Sequence, residues 1–244
     1  MKKRLGWVIP IIVVVLMLCV FLVYAETFYH ADAVAEAALI SDENVRVAQT
    51  EFGWFFDGPS EGYALIFYPG GKVEAAAYAP ICRELAQIGV DVCLVEMPFR
   101  LASFAVNKAD GIIDSMAYDH WYIAGHSLGG VIASIYAEEH VDQLDGVIML
   151  AAYAVKPLDD ELPTVLVYGT EDGVLNMDKY RENLAYVPAH AIEHVIEGGN
   201  HSQFGSYGVQ EGDGTALISP ERQVEETVGV IAETLAFPPL PGLS

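Results

Sequence analysis

The hydrophobic rhythm of the chain changes twice. Residues 5–25 read LGWVIPIIVVVLMLCVFLVYA, 21 positions without a charge; at about 1.5 Å of helical rise each, they match the ~30 Å hydrocarbon core of a bilayer. Residues 27–41 have helical composition and predict a short stalk or packed helix. Beyond Val45 short apolar runs alternate with helical periodicity. Strands are predicted at 45–50 and 53–57, with Asp-Gly-Pro-Ser turn chemistry behind them, then at 64–68 (ALIFY), 90–95, 120–124, 146–150, 164–168 and 191–196. Helices are predicted at 74–87, 104–116, 128–139, near 178–184 and at 220–235, and the Pro-rich residues 237–244 read as irregular. Continuous apolar strands interleaved with helices imply an α/β fold: a mostly parallel sheet of about eight strands with helices on both faces. The division expected is a membrane anchor at 1–25, a stalk or linker helix at 26–44 and one α/β domain at 45–244.

Composition sharpens this division. A mean hydropathy of +0.32 coexists with a net charge of −22, which requires the apolar and acidic parts to be segregated. Every acidic residue lies at or after Glu26, and nine basic residues against 34 acidic ones leave positions 26–244 at −25. So acidic a surface excludes a nucleic-acid binder, because phosphate backbones need a basic footprint. Lys2, Lys3 and Arg4 precede the apolar run and by the positive-inside tendency stay cytoplasmic, placing the acidic domain outside. Signal h-regions usually run about 7–15 residues, so the longer run here favours an uncleaved anchor in the cell membrane; secretion after cleavage behind Val23-Tyr24-Ala25 is the alternative. Cys19 lacks the small preceding residues of a lipoprotein site. Cys82 and Cys93, among apolar neighbours, read as buried free thiols, although spacing alone leaves a disulfide open. The seven His residues are scattered with no CxxC or HExxH spacing, so neither a metal nor another cofactor is expected.

The strongest chemical signal is Gly125-His126-Ser127-Leu128-Gly129, between the apolar strand WYIA and the helix LGGVIASIYAEE. A sharp strand-to-helix turn there exposes a serine, and the glycines leave room for it. A serine hydroxyl needs a base to remove its proton, and the base needs an orienting carboxylate. His201, in GGNHSQFG after the last predicted strand, is the preferred base over His190 and His194. Asp172, in YGTEDG after an earlier strand, is preferred to Glu171 because its short side chain fixes an imidazole with less freedom. The backbone N–H of Leu128, and that of Gly71 in YPGGK with Lys72 as fallback, would receive an oxyanion. The order Ser127, Asp172, His201 is that of an α/β-hydrolase.

The chain resembles the α/β-hydrolase superfamily, and within it the small cap-less bacterial hydrolases of the dienelactone-hydrolase-like group. The motifs YPGGKV, MPF at 97–99, GHSLGG, GTEDG and GGNHSQFG carry the resemblance over about residues 45–235. Dienelactone hydrolases use a cysteine nucleophile where Ser127 stands, so their substrate is not implied; Pro69 stands where many relatives have His. Only residues 151–163 separate the strands between which many esterases insert a cap, so an open, shallow site is expected. Lys72 and Arg100 are candidate substrate-binding cations at its mouth. The expectation is a serine hydrolase of small ester-like substrates acting through an acyl-enzyme. An acyltransferase with the same residues and a degenerate hydrolase-fold binding module are the alternatives, and oligomeric state is not legible. The acidic domain favours a neutral or small-acyl substrate and turnover insensitive to salt.

Overall fold

Strand β3 (Tyr63–Tyr68) shows why the sheet is covered on both sides. Leu65 and Phe67 enter one core and Ala64, Ile66 and Tyr68 the other, all without solvent exposure. With successive side chains on opposite faces, such a strand needs helices above and below it, and each fully buried Leu or Phe contributes about 1.5–3 kcal/mol. In the computed structural model, which describes residues 2–59 and 62–235, β3 lies inside an eight-stranded sheet. The others are β1 (Arg46–Thr50), β2 (Gly53–Asp57), β4 (Asp91–Val95), β5 (His120–His126), β6 (Gly146–Leu150), β7 (Thr164–Gly169) and β8 (Ile192–Ile196), in the order β1-β2-β4-β3-β5-β6-β7-β8. β1, β2 and β4 pair antiparallel; all pairs from β4 through β8 are parallel. The carboxyl ends of β3–β8 therefore share one edge.

Helices α3 (Ala79–Gln87) and α7 (Pro220–Thr234) cover one face, and α4 (Lys108–Ser115) and α5 (Leu128–Glu139) the other; α6 (Met177–Asn183) precedes β8. The expected helix at 74–87 is split. Residues Ala75–Tyr78 form a 3₁₀ turn, and the α-helix begins only at Ala79 because Pro80, which has no N–H to donate, fits its first turn and no later one. The helix expected at 104–116 is likewise shorter. Its start is fixed by Tyr68, whose hydroxyl donates to the Val106 carbonyl at 2.8 Å and accepts from Ala109 N–H at 3.0 Å. No helix or strand interrupts residues 151–163, so β6 and β7 are joined without a cap.

The N-terminal part is one long helix, α1 (Lys2–Glu26), followed by a short helix α2 (Ala33–Ala38). The window Ile9–Glu26 is only 6% buried. The helix expected over 27–41 contracts because Asp32 caps α2, accepting from Val34 and Ala35 N–H at 2.9 and 3.0 Å, while Tyr29 is extended and bridges Val73 in parallel. Arg83 of α3 holds this segment by hydrogen bonds to Ala38 O, Ile40 O and Asp42. The Pro-rich tail at 237–244 lies outside the described residues. Cys82 and Cys93 are buried free thiols, and burial pushes both pKa values up, keeping the thiols protonated.

Candidate functional site

Ser127 sits where β5 ends and α5 begins, with φ 53° and ψ −122°, a left-handed backbone that costs a non-glycine residue on the order of 1–3 kcal/mol. Its neighbours cannot carry side chains. A Cβ on Gly125 would lie 2.4 Å from Gly129 C, and one on Gly129 would lie 2.1 Å from Tyr68 O. Backbone against backbone leaves nothing to move aside, so both glycines permit the turn by having no Cβ. Although Ser127 is the N-cap residue of α5, its hydroxyl makes no capping hydrogen bond and remains free for chemistry.

His201 and Asp172 meet at the same edge. His201 Nδ1 lies 2.9 Å from Asp172 Oδ2 and 3.1 Å from Oδ1, with both side chains 1% exposed. A carboxylate only accepts, so Nδ1 carries the proton and Nε2 presents its lone pair. That Nε2 is buried and has no hydrogen-bond partner among the described residues. Asp172 is itself fixed, because Oδ1 accepts from Val174 N–H at 2.9 Å and Leu175 N–H at 2.7 Å. The His201 ring packs 4.5 Å from that of His126, the residue before Ser127, which brings the imidazole beside the turn.

The turn after β3 closes the site from the opposite side. A Cβ on Gly71 would touch Leu128 Cδ2 at 3.0 Å, so the two residues expected to donate N–H groups adjoin. Neither N–H has a backbone partner among the described residues, whereas Lys72 N–H donates to Arg100 O at 2.8 Å and is occupied. Of the two N–H groups expected as candidates in this turn, only that of Gly71 is without a backbone partner among the described residues. Sequence reading missed what holds this turn. Gly70 N–H donates to Tyr78 Oη at 3.1 Å, and the Tyr78 hydroxyl lies 2.8 Å from His126 Nδ1, which it meets as donor. Burial, with His201 close by, holds the His126 pKa well below the usual imidazole value, and burial raises that of Tyr78. The pair is therefore neutral.

A second omission is Asp213. It accepts from His201 N–H (3.2 Å), Ser202 N–H (2.8 Å), Ser202 Oγ (2.6 Å), Gly173 N–H (3.2 Å) and Gly214 N–H (2.9 Å), clasping the histidine loop to the Asp172 loop. Burial raises its pKa, but the hydrogen bonds from Ser202, Gly173 and His201 outweigh this and bring it below the ordinary carboxylate value. The only hint in the sequence was an Asp between two glycines in a turn.

Lys72 and Arg100 stand apart from this cluster. Lys72 Nζ lies 4.2 Å from the Tyr24 ring centre, and the Arg100 guanidinium 3.4 Å from that of Phe28, with its Nη1 3.8 Å from Glu26 Oε2. Both charged heads thus engage the segment where α1 ends. Between that segment and the ends of β3 and β4 lies a cavity of about 300 Å³, lined by Glu26, Pro69, Val73, Met97 and Arg100 among others.

This strand order, with a strained serine between β5 and α5, defines an α/β-hydrolase. The Alpha/beta hydrolase family matches residues 64–225, and the chain belongs to that family and is a hydrolase. Among solved structures it is similar to a bacterial membrane phospholipase A described as a virulence factor (13% identity, TM-score 0.59, 96% of this chain and 99% of that one). Others are Est1E from Butyrivibrio proteoclasticus (14%, 0.56, 80% and 100%) and a dienelactone hydrolase from Anabaena variabilis (13%, 0.56, 80% and 98%). At such identities the likeness is one of fold. No curated protein sequence matches the chain significantly.

Proposed function

We propose that the chain is a serine hydrolase that cleaves ester-like acyl bonds through a Ser127 acyl-enzyme. The observation that carries the reading is the His201 imidazole, bonded to buried Asp172 through Nδ1 while Nε2 has no partner. Nε2 takes the Ser127 proton as Oγ attacks the carbonyl carbon. The resulting oxyanion receives the N–H groups of Leu128 and Gly71, aided by the positive end of α5. Asp172 stabilises the imidazolium, which returns its proton to the leaving alkoxide. Water then attacks the acyl-enzyme, with His201 again as base, and releases the acid. No cofactor enters this cycle. A fluorophosphonate probe should label the native chain and leave Ser127→Ala unlabelled; equal labelling of both would refute the assignment.

The same proposal assigns residues 1–25 to a membrane anchor, 26–44 to a strap tying it to the catalytic domain, and 45–244 to that domain on the outer side of the cell membrane. Support comes from the exposed apolar surface of α1, from Lys2-Lys3-Arg4 before it, and from the membrane phospholipase A matched over nearly the whole chain. Lys72 and Arg100 hold the end of the anchor in this reading. Release of the hydrolase from washed membranes by high salt, without detergent, would contradict it.

A further inference from the structure

The end of α1 docks at one particular place, the loops that follow β3 and β4. The Phe21 ring packs 5.2 Å from Phe99 and 5.9 Å from Phe104, and those two pack 5.5 Å from each other. Phe21 lies four residues before Ala25, where the apolar run ends, and so sits about 6 Å inside that end at 1.5 Å per residue. Rings in contact with it share its depth. Phe99 and Phe104 nevertheless remain 46% and 55% exposed, although aromatic rings are normally buried unless a partner or a membrane covers them. One turn further along α1, Tyr24 meets Lys72, and Arg100 meets Phe28 and Glu26. Apolar rings at one level, with tyrosine and long cations just above, is the layering of a membrane interface.

That layering reaches the reaction site. Leu101 follows the Phe99–Arg100 turn, and its Cδ2 would lie 3.7 Å from a Cβ on Gly71, whose other neighbour is Leu128. The proposed oxyanion turn is therefore one residue from the Lys72 that meets Tyr24. An ester whose acyl chain lies in a bilayer has its carbonyl at this boundary between chains and headgroups. The absence of a cap leaves the carboxyl edge open toward that boundary.

We infer that the carboxyl edge of the sheet faces the bilayer, with the Phe99 and Phe104 rings at the depth of Phe21, and that the Ser127 site takes its substrate from that bilayer, as a long-chain acyl ester of a membrane amphiphile. This deepens, and rests on, the serine-hydrolase and anchor readings. It also replaces the small soluble ester that the acidic composition suggested. Despite the overall −25, Lys72 and Arg100 stand on the loops beyond β3 and β4, and Lys108 begins α4 just after them, among Glu26, Glu74 and Glu96.

The full chain, reconstituted in phosphatidylcholine vesicles, provides the test. Read as the increment over the native chain, whose Trp7, Trp54 and Trp121 are common to all variants, the emission of tryptophan placed by Phe104→Trp, or by Phe99→Trp should the first variant not fold, should be quenched several-fold more by lipids brominated along the acyl chain than that placed by Ile192→Trp, at the start of β8 on the opposite edge. Equal quenching would overturn the placement. Umbelliferyl oleate carried in the same vesicles as the enzyme should be hydrolysed several-fold faster than the same amount in separate protein-free vesicles; equal rates would overturn the substrate source. p-Nitrophenyl acetate separates the two levels of argument. If it is turned over by the native chain and not by Ser127→Ala while the oleate rates are equal, this inference alone fails. If the native chain and Ser127→Ala process it equally, the serine-hydrolase reading fails and the bilayer substrate with it.

Discussion

Replacing Asp172 with asparagine tests the chemistry with little change of shape. Its Oδ1 is held by Val174 and Leu175 N–H at 2.9 and 2.7 Å, so the amide oxygen of an asparagine must occupy that position. The NH₂ group then stands at the Oδ2 position, 2.9 Å from His201 Nδ1. Two donors cannot face each other, and the imidazole shifts its proton to Nε2. A histidine in that tautomer has no lone pair for the Ser127 proton. Returning the ring to the working tautomer leaves a buried donor unsatisfied, at about 1–3 kcal/mol. The imidazolium of the transition state also loses a charge-assisted partner, costing roughly 2–3 kcal/mol more. At 1.36 kcal/mol per decade, the combined ~3–6 kcal/mol lowers kcat by about two to four decades. The assay is hydrolysis of p-nitrophenyl butyrate, with thermal unfolding alongside; Tm should change little because both backbone hydrogen bonds survive. Activity within about tenfold of native in Asp172→Asn, or a larger loss in Glu171→Gln, would refute this account.

Asp213→Ala removes five hydrogen bonds to one half-buried carboxylate; with water replacing part of them, stability should fall by about 2–3 kcal/mol, and kcat by up to about a hundredfold as His201 loosens. Asp213→Asn, which keeps an acceptor, should recover part of both, and no recovery would count against a positioning role. Gly129→Ala drives a Cβ to 2.1 Å from Tyr68 O and 2.4 Å from Pro69 O, so a loss of more than about 3 kcal/mol, at the top of the range for overpacking, is expected in denaturant melts. Gly71→Ala meets only the movable end of Leu128 at 3.0 Å and should fold while turning over more slowly. Acid should act in two stages. A histidine whose folded pKa is depressed gives stability that is complete above its unfolded pKa, about 6.5, and is lost as pH falls below it, so buried His126 begins to destabilise the fold there. The depressed Asp213 acts in the same direction only below about 4, down through its own lowered pKa. Melting temperatures of the native chain and of His126→Phe between these values should lose ground at different rates, and parallel curves would contradict the assignment.

The central strands were legible because each must be apolar on both faces. ALIFY and GVIML can be little else when turn residues bound them, and the glycines of GHSLGG mark a turn that only they can make. Local patterning failed where a distant residue decides the backbone. Phe104 and Val106 look like the apolar face of a helix, but Tyr68, far away in sequence, starts that helix at Lys108, and Phe104 turns toward α1. The same limit hid Asp213 and Tyr78, whose roles depend on which loops meet rather than on their neighbours in the chain. Lys72 and Arg100 lie beyond the ends of β3 and β4, but the partners of their charged heads, Tyr24, Glu26 and Phe28, could not be read from spacing.

Strain identifies that edge independently of any motif. The non-glycine residues with positive φ are Lys72, Phe99, Arg100, Ser127 and Ala151, at 61°, 55°, 57°, 53° and 47°. Each lies just beyond the carboxyl end of β3, β4, β5 or β6, and none occurs elsewhere among the described residues. Such conformations cost on the order of 1–3 kcal/mol apiece and persist only where the surroundings impose them. For Ser127 the imposing element is the strand-to-helix turn between β5 and α5. For Lys72 and Arg100 it is their mutual hydrogen bond, Lys72 N–H to Arg100 O, together with the stacking of Lys72 on Tyr24 in the last turn of α1 and of Arg100 on Phe28 just beyond it. Removing that stacking should relax the Phe99–Arg100 turn, carry Leu101 away from Gly71 and loosen the proposed oxyanion turn. Tyr24→Ala with Phe28→Ala is therefore expected to lower kcat on soluble p-nitrophenyl butyrate, although neither residue touches Ser127; an unchanged kcat would show that the anchor and the reaction site occupy one edge without communicating.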